Sequence, residues 1–62
     1  METLEISLRD VRSAYEIIDN TKPWKEFINW TSTSTLEVND YEIALDIIDE
    51  LERFGLEVEC IY

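Results

Sequence analysis

The sequence predicts a small α+β domain with one antiparallel sheet and two helices. Near both ends of the chain, apolar and polar residues alternate with the period of a strand. In two segments between them, apolar residues recur at steps of three and four, the period of a helix. The 62 residues leave room for one domain, which we expect to span residues 1–62.

The first strand and the first helix are predicted to follow each other directly. Alternation over residues 3–8 predicts a strand with Leu4, Ile6 and Leu8 on its buried face. Ser7 and Asp10 resemble a capping box, so we expect a helix to begin near residue 8 or 9. Its apolar positions are Val11, Ala14, Tyr15 and Ile18. The helix is predicted to end at Asn20, Thr21 and Pro23.

The middle of the chain permits two interpretations. Aromatic and β-branched residues favour a hairpin with strands over residues 25–30 and 34–38. In the competing β-α-β-α-β order, residues 24–30 extend the first helical region or form a loop. On a strand, Trp24 and Trp30 share one face and Phe27 lies on the other. The two tryptophans then either close a thin core or anchor a partner.

The last helix and strand are the clearest elements. Asn39 followed by Glu42 predicts the start of a helix, and Gly55 predicts its end. Leu56, Val58 and Cys60 then alternate with polar neighbours and predict a strand. The helix carries an apolar stripe of Ile43, Ala44, Ile47, Ile48, Leu51 and Phe54.

The resulting β-α-β-β-α-β order resembles a minimal ferredoxin-like sandwich, an antiparallel sheet with both helices on one face. The resemblance extends over the whole chain but lies in the order of elements, and many unrelated functions share this architecture. It implies that the first and last strands are neighbours. Glu57 or Glu59 should then lie near Glu5, where like charges directly opposed destabilise a sheet.

Negative charge is concentrated in the second half of the chain. The net charge is −10, from fifteen acids and five bases, and residues 36–62 contain nine acids but a single base, Arg53. Such a charge argues against direct binding to nucleic acid or to anionic membranes. It favours a protein partner with a basic surface.

Two groups of acids are the candidate binding residues. Carboxylates one turn apart on the last helix repel one another, and so do carboxylates on one face of a sheet. Either these are ordinary solvated acidic faces, or a partner relieves the repulsion. The helical group is Glu42, Asp46, Asp49 and Glu50, and the sheet group is Glu5, Glu37, Glu57 and Glu59.

Catalytic chemistry has little support in the sequence. There is no histidine, and Gly55 is the only glycine, so we expect neither a phosphate loop nor a zinc site, and no cofactor. Cys60 is the only cysteine and is expected to pack as a small apolar residue. We expect no signal peptide and no membrane span, and therefore a cytoplasmic protein.

Two functional hypotheses follow. The first is a non-enzymatic inhibitor or regulator that docks on a nucleic-acid-binding surface by mimicking nucleic acid, as small acidic phage-type inhibitors of host enzymes do. The second is a self-associating structural or antitoxin-like module, such as a homodimer, whose acidic face only confers solubility. Salt dependence of binding and the oligomeric state discriminate between them.

Overall fold

A computed structural model describes residues 2–21 and 24–61, and confirms a small α+β fold with a four-stranded antiparallel sheet and two helices. Short 3-10 turns lie at Leu8–Asp10 and Trp24–Glu26. Neither helix in the described ranges has the length and apolar character needed to cross a membrane. The elements are β1 (Glu2–Ile6), α1 (Val11–Asp19), β2 (Ile28–Trp30), β3 (Thr35–Val38), α2 (Tyr41–Arg53) and β4 (Val58–Cys60).

Strand β1 occupies the interior of the sheet. The strand order is β2-β3-β1-β4, and every neighbouring pair is antiparallel. Leu4 of β1 lies opposite Leu36 on one side and opposite Cys60 on the other. Strands β2 and β4 therefore form the two edges of the sheet.

The core lies on one face of this sheet. Because side chains alternate along a strand, the register places Leu4, Ile6, Leu36 and Val38 on the same face, where each is at most 1% exposed. Both helices cover that face with their buried residues. The helical contribution to the core is Ala14 and Ile18 from α1, and Ala44, Ile47 and Leu51 from α2.

The first strand is shorter than predicted. It ends at Ile6, and Leu8 lies in the following 3-10 turn with 76% of its surface exposed, so its predicted place on the buried face is wrong. The turn is closed by the amide of Asp10, which donates to the carbonyl of Ser7 at 2.8 Å. Neither Ser7 nor Asp10 caps a helix with its side chain, because the Asp10 carboxylate accepts from the amide of Glu57 instead.

The middle segment forms the predicted hairpin, but its first strand starts later than expected. Strand β2 covers Ile28–Trp30, and Trp24–Glu26 is a 3-10 turn. Trp24 and Trp30 therefore do not share one strand. Trp24 is 7% exposed and belongs to the core, as the core interpretation required. Pro23, predicted to help end α1, lies outside the described residues.

Helix α2 begins one residue later than predicted. Asp40, not Asn39, is the N-cap, and its carboxylate accepts from the amide of Ile43 at 3.1 Å. The carboxylate is also favourable at the positive end of the helix dipole. Asn39 lies in the bend between β3 and the helix, where its amide donates to the carbonyl of Phe27.

The end of α2 confirms the role of Gly55. Its φ of 83° lies in the left-handed region, which a glycine adopts without steric cost. The amide of Gly55 donates to the carbonyl of Glu52, and that of Leu56 donates to the carbonyl of Leu51, which together form a Schellman motif. Leu56 packs on the core, whereas Phe54, predicted in the apolar stripe, is 62% exposed.

The corrected cap predicts the outcome of two substitutions. Asp40→Ala removes the only side-chain acceptor for the Ile43 amide, so it should lower the free energy of unfolding by about 1 kcal/mol. Asn39→Ala should change it by less than about 0.5 kcal/mol, because its side chain caps nothing. Urea titration of both variants measures the difference, and a larger loss for Asn39→Ala would contradict this assignment.

Candidate acidic interaction surface

The candidate acids lie on opposite sides of the molecule. Both helices cover one face of the sheet, so the outer surface of α2 and the uncovered face of the sheet point in opposite directions. One flat partner cannot contact both at once. The uncovered face, called here the open face, carries Thr3, Glu5, Asn29, Thr35, Glu37 and Glu59.

The open face brings three predicted carboxylates together without a cation among them. Glu5 lies directly opposite Glu59 in the β1–β4 register, as the sequence predicted. Glu37 is diagonal to Glu5 across β1 and β3, because its own partner is Thr3. Directly opposed positions are about 5 Å apart and diagonal ones about 7–8 Å, so the charges repel one another. None of the three forms an ion pair with the described residues.

Glu57 differs from the other three acids of the sheet group because it forms an ion pair and backbone hydrogen bonds. Its carboxylate forms an ion pair with Arg9, and its amide donates to the Asp10 carboxylate at 3.0 Å. Its carbonyl accepts from the amide of Ser7. This group of contacts holds the start of β4 against the turn after β1. Glu57 is thus compensated in charge, although its side chain remains exposed.

The acids of α2 are compensated at one end of the helix. Arg53 reaches Asp49 at 2.9 Å and Glu50 at 3.5 Å, one turn before it. Such exposed pairs contribute little to stability, but they reduce the local negative charge. Glu42 and Asp46 lie nearer the N-terminus of the helix and form no ion pair within the described chain. The charge of Glu42, in the first turn, is favourable there because of the helix dipole.

An open groove at one end of the sheet brings one further carboxylate of α2 beside acids of the sheet. It has a volume of about 630 Å³, and its lining includes Glu5, Glu57, Glu59 and also Glu52 of α2. Glu52 was not among the binding residues predicted from the sequence. A carboxylate in the last turn of a helix faces the negative end of the dipole, and that unfavourable position was the available signal. The exposed Leu8 lies beside these acids.

The two tryptophans have different surroundings. Trp24 is buried, so it does not present a surface to a partner. Trp30 lies at the edge strand β2 and stacks on Tyr15, with ring centroids 5.2 Å apart and an interplanar angle of 21°. Tyr15 is 52% exposed, although its spacing predicted a buried position on α1. The aromatic surface is therefore at the opposite edge of the sheet from the acidic groove.

Metal-ligating side chains and the cysteine are the remaining groups of chemical interest. No group of three or more acidic, histidine or cysteine side chains within residues 2–21 and 24–61 could hold a metal ion. Cys60 is exposed at the edge strand β4, and its Sγ lies 3.6 Å from Oε1 of Glu2. The predicted packing of Cys60 as a buried apolar residue is therefore wrong, because β4 is an edge with little cover. The arrangement offers electrostatic attraction for cationic groups.

The opposed pair predicts a specific pattern of stabilities. Glu5→Gln and Glu59→Gln should each raise the free energy of unfolding by about 0.2–1 kcal/mol, because either change removes the repulsion between the pair. The free energy of unfolding of the double variant should rise by less than the sum of the increases in the two single variants. Urea titration of the four proteins measures this coupling. Fully additive gains would mean that the two carboxylates do not interact.

Comparison with known proteins identifies no relative of this chain. No protein-family model matches the chain, and neither a curated protein nor a solved structure matches it.

Proposed function

We propose that this protein is a non-enzymatic inhibitor or regulator that docks its open face on a basic, nucleic-acid-binding surface of another protein. The observation that carries the proposal is the direct opposition of Glu5 and Glu59 on an exposed face that holds no cation. Glu37 continues the row of carboxylates onto β3. In the docked complex these carboxylates occupy the positions on the partner that the phosphate groups of nucleic acid otherwise occupy.

The repulsion within the open face favours a cationic partner. Like charges on neighbouring strands cost stability in the free protein, and a lysine or arginine placed between them removes that cost. The partner's basic surface holds condensed or nearby anions that are released on binding, as they are when it binds nucleic acid. Both effects strengthen the complex at low salt and weaken it at high salt.

The groove gives the partner a preferred point of contact. Glu5, Glu52 and Glu59 line it from three elements, and Glu52 brings the helix layer to the same place. A long basic side chain fits such an open groove, with its stem against the exposed Leu8 and its charge among the carboxylates. The acids on the far side of α2 then steer the approach of the partner rather than contact it.

The frame that carries these acids supports the same proposal. The strand order β2-β3-β1-β4, with both helices on one face, supports the minimal ferredoxin-like sandwich that we propose as the architecture. This frame places the carboxylates on three paired strands, so their backbone loses little freedom on binding. A single exposed cysteine is compatible with a reducing compartment, and we propose the cytoplasm as the location.

The proposal predicts which charges control binding. The tagged protein is first used to capture partners by cross-linking in cells, and a purified partner with nucleic-acid-binding activity is then titrated. Wild type should displace a labelled oligonucleotide from it, and Glu5→Lys/Glu59→Lys should weaken displacement by about 10-fold or more. The affinity of the wild type should fall steeply between about 50 mM and 200 mM salt.

A matched control separates this site from net charge. Glu26→Lys/Asp46→Lys makes the same change in charge at exposed acids outside the open face and should weaken displacement less than about 3-fold. Equal losses for the two double variants would show that only net charge matters. Binding that leaves the partner's nucleic-acid site free, or that is indifferent to salt, would contradict the mimicry itself.

A further inference from the structure

The edge strand β2 has backbone groups that the sheet does not use. The amide of Thr31 donates to the carbonyl of Thr35, and the amide of Asn39 donates to the carbonyl of Phe27. In an antiparallel ladder the bonded residues alternate, so Asn29 is the next residue that bonds to β3. The amides and carbonyls of Ile28 and Trp30 therefore point away from β3, toward the outside of the sheet.

The two edges of the sheet differ in charge. Beside the outer edge of β4 lie Glu57 and Glu59, and acidic side chains at an edge discourage pairing with another strand. Strand β2 contains no ionisable residue. It is bordered by the half-exposed Tyr15–Trp30 stack and by a shallow groove of about 330 Å³ along Ile28. Among residues 2–21 and 24–61, only the β2 edge thus combines free backbone groups with exposed aromatic surface.

We propose that a second copy of this chain pairs its β2 antiparallel to this β2, around a two-fold axis at Asn29. This register places Ile28 of each copy opposite Trp30 of the other. The outward amide and carbonyl of each residue then meet those of its opposite, so the hydrogen bonding is self-complementary. The axis is perpendicular to the sheet, and the two sheets join into one with the helices on a common side.

The charges on α1 fit the same symmetry. Tyr15 stacks over Trp30, so the stripe of α1 above this edge contains Arg12, Glu16 and Asp19 at helical spacing. The two-fold axis makes the two α1 helices antiparallel, which directs the basic start of each toward the acidic end of the other. At that end Asp19 is already paired with Lys25 at 3.2 Å, whereas Glu16 forms no ion pair with the described residues. Arg12 forms no ion pair within the described chain, whereas Arg9, Lys25 and Arg53 each do.

The paired state also extends the open face. Rotation about an axis perpendicular to the sheet keeps both open faces on one side, so eight strands form a continuous face roughly 35 Å wide, with a group of carboxylates on either side of the central Asn29 pair. Each copy carries a charge of −10, so salt should strengthen this pairing by screening the repulsion between copies. Docking on a basic partner should instead weaken as salt increases. An experiment can therefore contradict one of the two proposals without contradicting the other.

Sedimentation velocity of the full chain tests the pairing. From about 10 µM to about 1 mM in about 0.5 M NaCl, wild type should shift from monomer toward dimer, and it should shift less in about 20 mM NaCl. Asn29→Lys and Asn29→Glu should each be monomeric at concentrations where wild type is a dimer, because each places like charges opposite each other at the axis. An equimolar mixture of the two variants should form a heterodimer, because opposite charges then meet there.

Substitutions in the bend after β3 provide the control. Asn39→Lys and Asn39→Glu make the same changes at an exposed position on the inner side of β2, off the outer edge that pairs, so each should dimerise as wild type does. Circular dichroism melts verify that every variant is folded. A monomeric wild type over the whole range would overturn the proposal. So would a mixture of the Asn29 variants that associates no more than either alone.

Discussion

One-sided burial is the constraint on which the rest of this structure depends. Two short helices can cover a single face of a four-stranded sheet, so every large apolar side chain of the central strand must point to that face. Leu4 and Ile6 meet this requirement on β1, and Leu36 and Val38 meet it on β3. Because strand residues alternate, the same register sends the intervening side chains to water. The open face is the direct consequence of how the core is filled.

The open face could have been filled with neutral or mixed polar residues, as its threonines and its asparagine show. Instead Glu5 and Glu59 are directly opposed, and Glu37 is diagonal to Glu5. The chain places its ion pairs elsewhere: Arg9 contacts Glu57, and Arg53 contacts the acids of α2. The carboxylates of the open face form no ion pair with the described residues, and the docking that we propose would supply them with cations.

Periodicity predicted the elements well because it reflects burial, which dominates a domain of this size. It placed Leu4 and Ile6 on the buried face and Gly55 at the end of α2. The exact ends of the helices and strands depend instead on single hydrogen bonds, which the spacing of apolar residues does not reveal. Asp40 and Asn39 are both good caps, and only the backbone direction decides between them. Glu52 could not be placed from sequence, because its nearness to Glu5 depends on how α2 crosses the sheet.

The central claim is that the open face carries uncompensated negative charge in the folded protein, and the salt dependence of stability tests it most directly. Urea unfolding midpoints of wild type and Glu5→Gln/Glu59→Gln are compared at about 10 mM and about 500 mM NaCl. Screening should raise the midpoint of wild type and should raise that of the double variant clearly less. A midpoint of wild type that stays constant or falls with salt, or equal increases for both proteins, would contradict the account.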